Sequence, residues 1–369
     1  MIPTISLFSG IGGLDLGAHF AGFSSGLAID LDENALSCTR KALKPNSLCA
    51  DISTLSFDDV INAMGGQKLE DTLLIGGPPC TAFSHAGFWI EKKRNGEDFQ
   101  VGRVADFLRF IQELRPVAFL MENVPGLLFK NYSHIFTTII NETKSLDYKV
   151  SYQILNAADY GVPQRRRRLF VVGVRGSLRP FMFPLPRFSD ESYRSSSWAF
   201  SGLTMTNNPP ECDETLSGKY SDLLQEIPAG DNYLYLTGHR GHPSPRFEWR
   251  RKYWSFLLKL HPNKPSSTLS SVRVTNNGPF HWENRRLRLR EIARLQTFPD
   301  NYPLCPNPLA RRHLGNAVPP LLAAQIFLLL REQLGLGVAR ERVATLEEAL
   351  SPHSTYVDLD NVLSLAMSG

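Results

Sequence analysis

Leu73-Leu-Ile-Gly-Gly-Pro-Pro-Cys80 is the stretch on which the reading turns. Three consecutive aliphatic residues bounded by glycines and prolines predict a short strand buried on both faces. The two prolines stiffen the following turn and fix the direction of the Cys80 thiol. Ligands of open α/β sheets bind beyond the carboxyl ends of the strands, so Cys80 is expected at that edge. A thiolate is a strong nucleophile whose pKa falls beside cations, although an isolated cysteine is more often an inert core residue. Phe83-Ser-His-Ala-Gly87 and the polar stretch Glu91 to Gly102 read as a loop suited to closing over a substrate.

Outward from this strand, short apolar runs alternate with helical patterns, the mark of a doubly wound, mostly parallel α/β sheet. Ile5–Phe8 predicts a strand, followed by a Gly-rich turn and a helix to about Ala21. A second strand, Leu27–Asp30, precedes a helix from about Glu33 to Leu43. Helical periodicity over Val104–Leu114 leads to a strand from Val117 to Met121 that ends at Glu122. Tyr148–Leu155 and Leu169–Val174 supply two more strands, and helices are expected over Leu287–Leu295 and Leu321–Leu334.

After Gly176 prolines, serines, arginines and aromatics mix without a sustained period. Residues 176–284 are therefore expected to form a smaller, loop-rich domain. Trp249, Tyr253, Trp254, Phe256, Leu257 and Leu258 are the candidates for its core. The predicted organisation is a first domain over 1–175, this second domain, a return to the first over 285–337, and a helical tail over 338–369.

Composition sets the outer limits. The 369 residues are 42% hydrophobic and 21% charged, with a net charge of +4, which permits nucleic-acid binding without requiring it. Five scattered cysteines with no C-x-x-C pair argue against a metal site or a disulfide framework and suit a reducing cytoplasm. No apolar run reaches the roughly 18 to 20 residues of a membrane span, and Leu321–Leu330 reads as a buried helix.

Three features point to an adenosine-type cofactor. Phe8-Ser-Gly-Ile-Gly-Gly13 joins a strand to a helix, where Gly10, Gly12 and Gly13 let the backbone approach a ligand. Asp30 ends the second strand, where a carboxylate can take both hydroxyls of a ribose. Asp51 follows the next strand, where it could accept from an adenine amino group. Each alone has a plainer reading, as a tight turn or a helix cap. Glu122, at the end of its strand, suits a carboxyl kept protonated by burial. In Arg165–Arg168, strand alternation turns two guanidinium groups toward the cleft and two away. A second arginine group (Arg285, Arg286, Arg288, Arg290, Arg294) suits phosphate contacts.

The order of these elements resembles the DNA (cytosine-5) methyltransferase family. Phe8-Ser-Gly-Ile-Gly-Gly-Leu14 resembles its cofactor loop, and Pro79-Cys80 with Phe83-Ser84 and Gly87 its nucleophile motif. Glu122-Asn-Val124, Gln164-Arg-Arg-Arg-Arg168, Arg290 to Gln296 with Phe298-Pro-Asp300, and Gly315-Asn-Ala-Val-Pro-Pro320 resemble the remaining motifs in order.

The resemblance implies a Rossmann-like class I S-adenosylmethionine-dependent methyltransferase with a target-recognition domain between the arginine groups. It implies that Cys80 attacks C6 of a flipped cytosine, that Glu122 holds N3 and N4, that Arg168 binds O2, and that Arg166 supports the closed loop or a phosphate. Phe8, Gly10, Gly12, Gly13, Asp30, Asp51, Ile52, Pro79 and Asn316 would hold the cofactor, released as S-adenosylhomocysteine. Ser84, Arg165, Arg240, Arg250, Arg251 and Arg290 would contact double-stranded DNA. Thr268-Leu269 resembles a pair found near the end of the recognition domain. A monomeric, metal-free bacterial modification enzyme in the cytoplasm, associated with the nucleoid, is expected, with room for a separate restriction endonuclease sharing its site. The alternatives are an RNA (tRNA) cytosine-5 methyltransferase and an inactive DNA-binding relative. Thr81, Arg103, Arg288 and Thr297 depart from the family pattern, with Arg103 standing where an apolar residue often lines the cofactor cleft, and Asp30 replaces the more frequent Glu.

Overall fold

The computed structural model describes residues 1–79, 99–212, 214–248, 252–271, 275–305 and 309–337. Seven strands form one sheet: β1 (Pro3–Leu7), β2 (Ser24–Asp30), β3 (Asn46–Cys49), β4 (Leu73–Gly76), β5 (Ala118–Asn123), β6 (Tyr148–Asn156) and β7 (Arg167–Arg175). Their spatial order is β3-β2-β1-β4-β5-β7-β6. The first five are parallel, while β7 runs antiparallel to both β5 and β6. The strand order reverses at β1, the place where open sheets of this kind bind ligands.

The ten α-helices are α1 (Gly13–Phe20), α2 (Glu33–Leu43), α3 (Phe57–Ala63), α4 (Phe99–Leu114), α5 (Ser133–Ser145), the short α6 (Ser196–Phe200) and α7 (Leu223–Glu226), then α8 (Leu289–Leu295), α9 (Ala310–Asn316) and α10 (Pro320–Gln333), counted among the described residues. Both faces of the sheet are covered, so consecutive strand residues enter opposite cores. Leu73, Ile75, Ala118, Leu120, Phe170 and Val172 pack with α1 and α10. Leu74, Phe119, Met121, Leu169 and Val171 pack with α4 and α5. The run Leu321–Leu330 lies inside the buried helix α10, as its composition predicts. Gly17 lets α1 approach α10 closely, since a Cβ there would collide with Ala323 and the backbone of Ala324.

A third cluster gathers Leu216, Leu224, Ile227, Tyr233, Leu236, Phe256, Leu257 and Phe280. The expectation that Tyr253 and Trp254 join it is wrong: they are 64% and 54% exposed. Tyr220, Tyr233 and Phe247 fill that space instead, packing edge-on around Phe256. Trp249 and the expected tail over 338–369 lie outside the described residues. The stretch 176–284 also feeds the main core, through Phe181, Ala199, Leu260 and Leu269.

Candidate active site

Strand register lines up the candidate residues. Ile29, Leu7, Gly76 and Met121 are cross-strand neighbours in a continuous row over β2, β1, β4 and β5. One residue further along each chain stand Asp30, Phe8, Gly77 and Glu122. Because β7 is antiparallel, its beginning reaches the edge where the parallel strands end. Asn123 pairs with Leu169, which brings Arg168 beside Glu122.

Glu122 is buried, with Arg168 Nε 3.0 Å from its Oε1. Burial pushes its carboxyl pKa up, against the pull of Arg168 and Arg166. This carboxyl is poised to keep a proton more readily than an exposed glutamate. Gly77 leaves room for it, as a Cβ there would lie 3.1 Å from Glu122 Oε2. Asn123 Nδ2 donates to Pro78 O at 3.2 Å, joining the ends of β4 and β5. The exposed Pro79 is the last described residue on this side. Cys80, Ser84, Arg250 and Arg251 lie outside the described residues.

The arginine run alternates as a strand requires. Arg166 and Arg168 turn inward, and Arg165 and Arg167 are exposed. Arg166 is 1% exposed and donates to Gly315 O at 2.9 Å and Asn316 O at 3.0 Å. The expectation of a phosphate contact by Arg166 is therefore corrected: its guanidinium ties β7 to the end of α9. Gln164 extends this joint, donating to Gln296 Oε1 at 3.0 Å and accepting from Leu269 N at 3.2 Å. Thr268 Oγ1 donates to Arg165 O at 2.8 Å.

The Gly-rich loop after β1 is a tight, unusual turn. The φ of Phe8, Gly10 and Gly12 is 56°, 55° and 75°, and a bulky residue such as Phe8 rarely adopts that region outside functional sites. Gly13 abuts Val318 O so closely that no Cβ fits. Thr39 Oγ1 donates to Gly10 O at 3.1 Å, and Tyr302 Oη to Ile11 O at 2.5 Å. Sequence reasoning missed both, because they come from distant helix and loop positions with no local signal. Asp15 was also missed. It is buried beneath the loop and accepts from Ser6 Oγ and Ser9 Oγ at 3.0 and 3.1 Å; desolvation raises its pKa to about 6.

Fit to an adenosine ligand can be tested on the two acids. Asp30 accepts from Gly10 N at 2.7 Å on one oxygen and from Asp32 N at 2.8 Å on the other, leaving acceptor capacity on each. The helix-cap role falls to Asp32, which accepts from Asn34 N and Ala35 N and leaves Asp30 to face the cleft edge. Among the described residues, nothing lies within 4 Å of where a Cβ on Gly10 would stand. Ile52 is buried beside Asp51, and Asn316 is exposed. The set fits a ribose-bearing ligand.

The second arginine group is mainly structural. Arg285 pairs with Glu291 at 2.8 Å, Arg288 with Glu214 at 2.7 Å and Arg294 with Asp300 at 2.6 Å, and all three arginines are largely buried. Their expected phosphate contacts are overturned, because buried guanidinium groups paired this closely face protein, not solvent. Arg165, Arg240 and Arg290 stay accessible, beside Asp190, Asp231 and Asp300.

Comparison with known proteins agrees with this geometry. The family model described as C-5 cytosine-specific DNA methylase matches residues 2–331. Type II methyltransferase M.SacI of Streptomyces achromogenes is 39% identical, covering 90% of this chain and 94% of its own. Type II methyltransferase M.NgoFVII of Neisseria gonorrhoeae is 32% identical, covering 86% and 83% respectively. Among solved structures, a candidate DNA modification methyltransferase encoded within an E. coli prophage superimposes with a TM-score of 0.67 at 26% identity, covering 91% of this chain and all of that one. The Entamoeba histolytica methyltransferase EhMeth, at 17% identity and a TM-score of 0.61, shares the fold. The chain belongs to the C-5 cytosine-specific DNA methylase family.

Proposed function

We propose that this protein methylates C5 of a cytosine flipped out of a specific duplex DNA sequence, with Cys80 as covalent nucleophile. The observation that carries the reading is the single row at the sheet edge. Along it stand in order Asp30, Phe8, Gly77, three residues before Cys80, and Glu122 with Arg168, which supports a cofactor held by the first two next to a base held by the last. S-adenosylmethionine, when bound, supplies an electrophilic sulfonium methyl group. Asp30 would hold the ribose hydroxyls, Asp51 the adenine amino group, and Phe8, Gly10, Gly12, Gly13, Ile52, Pro79 and Asn316 the rest of the ligand.

The Cys80 thiolate, its proton already lost to solvent, bonds to cytosine C6, and the displaced electron pair makes C5 nucleophilic. Glu122 donates a proton at N3 and accepts from N4, while Arg168 binds O2. After C5 is methylated its proton leaves to solvent, N3 returns its proton to Glu122, and the C6–S bond breaks to regenerate the Cys80 thiolate. C5 is out of reach inside a stacked duplex, so flipping the base costs a few kcal/mol, roughly, before chemistry begins.

Residues 176–284 would read the target sequence, with the flanking stretches 1–175 and 285–337 forming the catalytic unit. Ser84, Arg165, Arg240, Arg250, Arg251 and Arg290 would contact DNA. The accessible ion pairs of Arg165, Arg240 and Arg290 are worth about 0–1 kcal/mol each, so a phosphate displaces their carboxylates cheaply. We read the protein as a monomer acting in the bacterial cytoplasm, as the modification arm of a restriction–modification system. Bisulfite sequencing of DNA from cells expressing the chain tests the whole reading. One fully protected sequence context is expected; unmodified cytosines in every context would refute it.

A further inference from the structure

Arg103, near the start of α4, grips the carboxylate of Asp51 with two prongs. Nη1 lies 2.5 Å from Oδ1 and Nη2 lies 3.0 Å from Oδ2. The arginine side chain is 6% exposed and Asp51 32%, so the clamp is buried behind and the carboxylate remains open in front. Ser53 N and Ser53 Oγ also donate to Oδ1, at 2.9 and 2.8 Å. A carboxylate offers about four acceptor sites; Oδ1 is fully used and Oδ2 keeps one.

Charge does not close that last site. Asp106 Oδ2 stands 3.3 Å from the same Arg103 Nη1, so one guanidinium faces two carboxylates and the trio is net anionic. The remaining lone pair still attracts an N–H donor and repels a carbonyl oxygen. Arg103 also holds the Asp51 pKa far below the usual carboxylate range, so the acceptor stays ionised.

We propose that Arg103 is a positioning residue for cofactor selection: by pinning both oxygens of Asp51 it leaves one acceptor of fixed direction, which takes the 6-amino group of adenine and rejects a 6-oxo purine. The inference rests on the assignment of the adenosine ligand to this cleft. Inosine presents O6 beside N1–H. An unrestrained carboxylate can swivel to take N1–H, whereas one held by a planar fork cannot. This also accounts for an arginine at a cleft position where an apolar residue is common. Its charge is turned onto Asp51 and Asp106 and away from the ligand.

The test is calorimetric binding of S-adenosylhomocysteine and S-inosylhomocysteine to the full chain and its variants. A hydrogen bond to a charged group corresponds to a preference of about 10- to 150-fold for the adenine ligand in the unmodified protein. Arg103→Met should cut that preference to about threefold or less, with adenine affinity falling more than inosine affinity. Arg103→Lys keeps a charge but not the fork, and should also lose most of the preference. It serves as the second arm if the methionine variant does not fold. A folded variant that keeps the full preference, or that loses both ligands equally, overturns the role of Arg103. Failure of the unmodified protein to bind S-adenosylhomocysteine would instead overturn the cofactor assignment, and the inference with it.

Discussion

Arg168 Nε stands 3.0 Å from Glu122 Oε1, bringing together residues 46 positions apart in the chain (168 minus 122). The contact exists because β7 enters the sheet antiparallel and delivers its first residues to the edge where β5 ends. Burial raises the Glu122 pKa and the two neighbouring guanidinium groups oppose the rise. A carboxyl tuned in this way can hold a proton for cytosine N3 and still be charge-compensated when it gives the proton up. Glu122→Gln should therefore lower turnover by about 10²- to 10⁴-fold while leaving duplex binding in place. Single-turnover methyl transfer measures this, and a variant within about threefold of the parent would remove Glu122 from the chemistry.

Asp30→Ala should weaken S-adenosylhomocysteine binding by about tenfold or more, through loss of charged hydrogen bonds and of the Gly10 N anchor. Duplex binding should change far less. Equal losses of both ligands would contradict the ribose assignment.

Asp15 predicts a pH-dependent stability. Its pKa rises from 3.8 when unfolded to about 6 in the folded protein, so the native state binds the extra proton. Stability consequently falls as pH climbs from about 4 to about 6, by about 3 kcal/mol in full. The favourable interaction of a carboxylate with the first turn of α1 is about 0.3–1 kcal/mol, too little to reverse the sign. Asp15→Asn should melt higher than the parent at pH 7, and the gap should close toward pH 4. Destabilisation at pH 7 would show that the ionised form is required beneath the loop.

Arg294→Ala should destabilise the fold by about 1–3 kcal/mol, since it leaves the carbonyls of Ala199 and Ser201 without their donor, while the half-exposed Asp300 keeps Arg290 nearby. The salt dependence of DNA binding by the folded fraction should be unchanged. A shallower salt slope would return this arginine to phosphate contact.

Much of this architecture was legible in the sequence because it depends on local pattern. The helix from about Glu33 to Leu43 was legible, and the strand–turn–helix units of the parallel sheet followed from aliphatic runs and glycines. Strand alternation implied that two of the four arginines turn inward, and the family resemblance singled out Arg166 and Arg168. What could not be read depends on partners far away in the chain. Arg166 reaches carbonyls 149 and 150 residues distant, and Arg103 meets an aspartate 52 residues earlier. Arg285, Arg288 and Arg294 look like a phosphate-binding cluster in one dimension and become buried ion pairs in three. Tyr253 and Trp254 were misjudged because hydrophobicity does not say which aromatics win a limited interior.

The central claim is the covalent step at Cys80, and trapping tests it most directly. The full chain is mixed with S-adenosylmethionine and a random-sequence duplex pool carrying 5-fluorocytosine, then separated under denaturing conditions. Fluorine at C5 cannot leave as a proton does, so the C6–S bond should persist, giving a denaturation-resistant protein–DNA adduct that Cys80→Ala abolishes. An active enzyme that yields no adduct, or an adduct that survives the alanine substitution, would contradict the account.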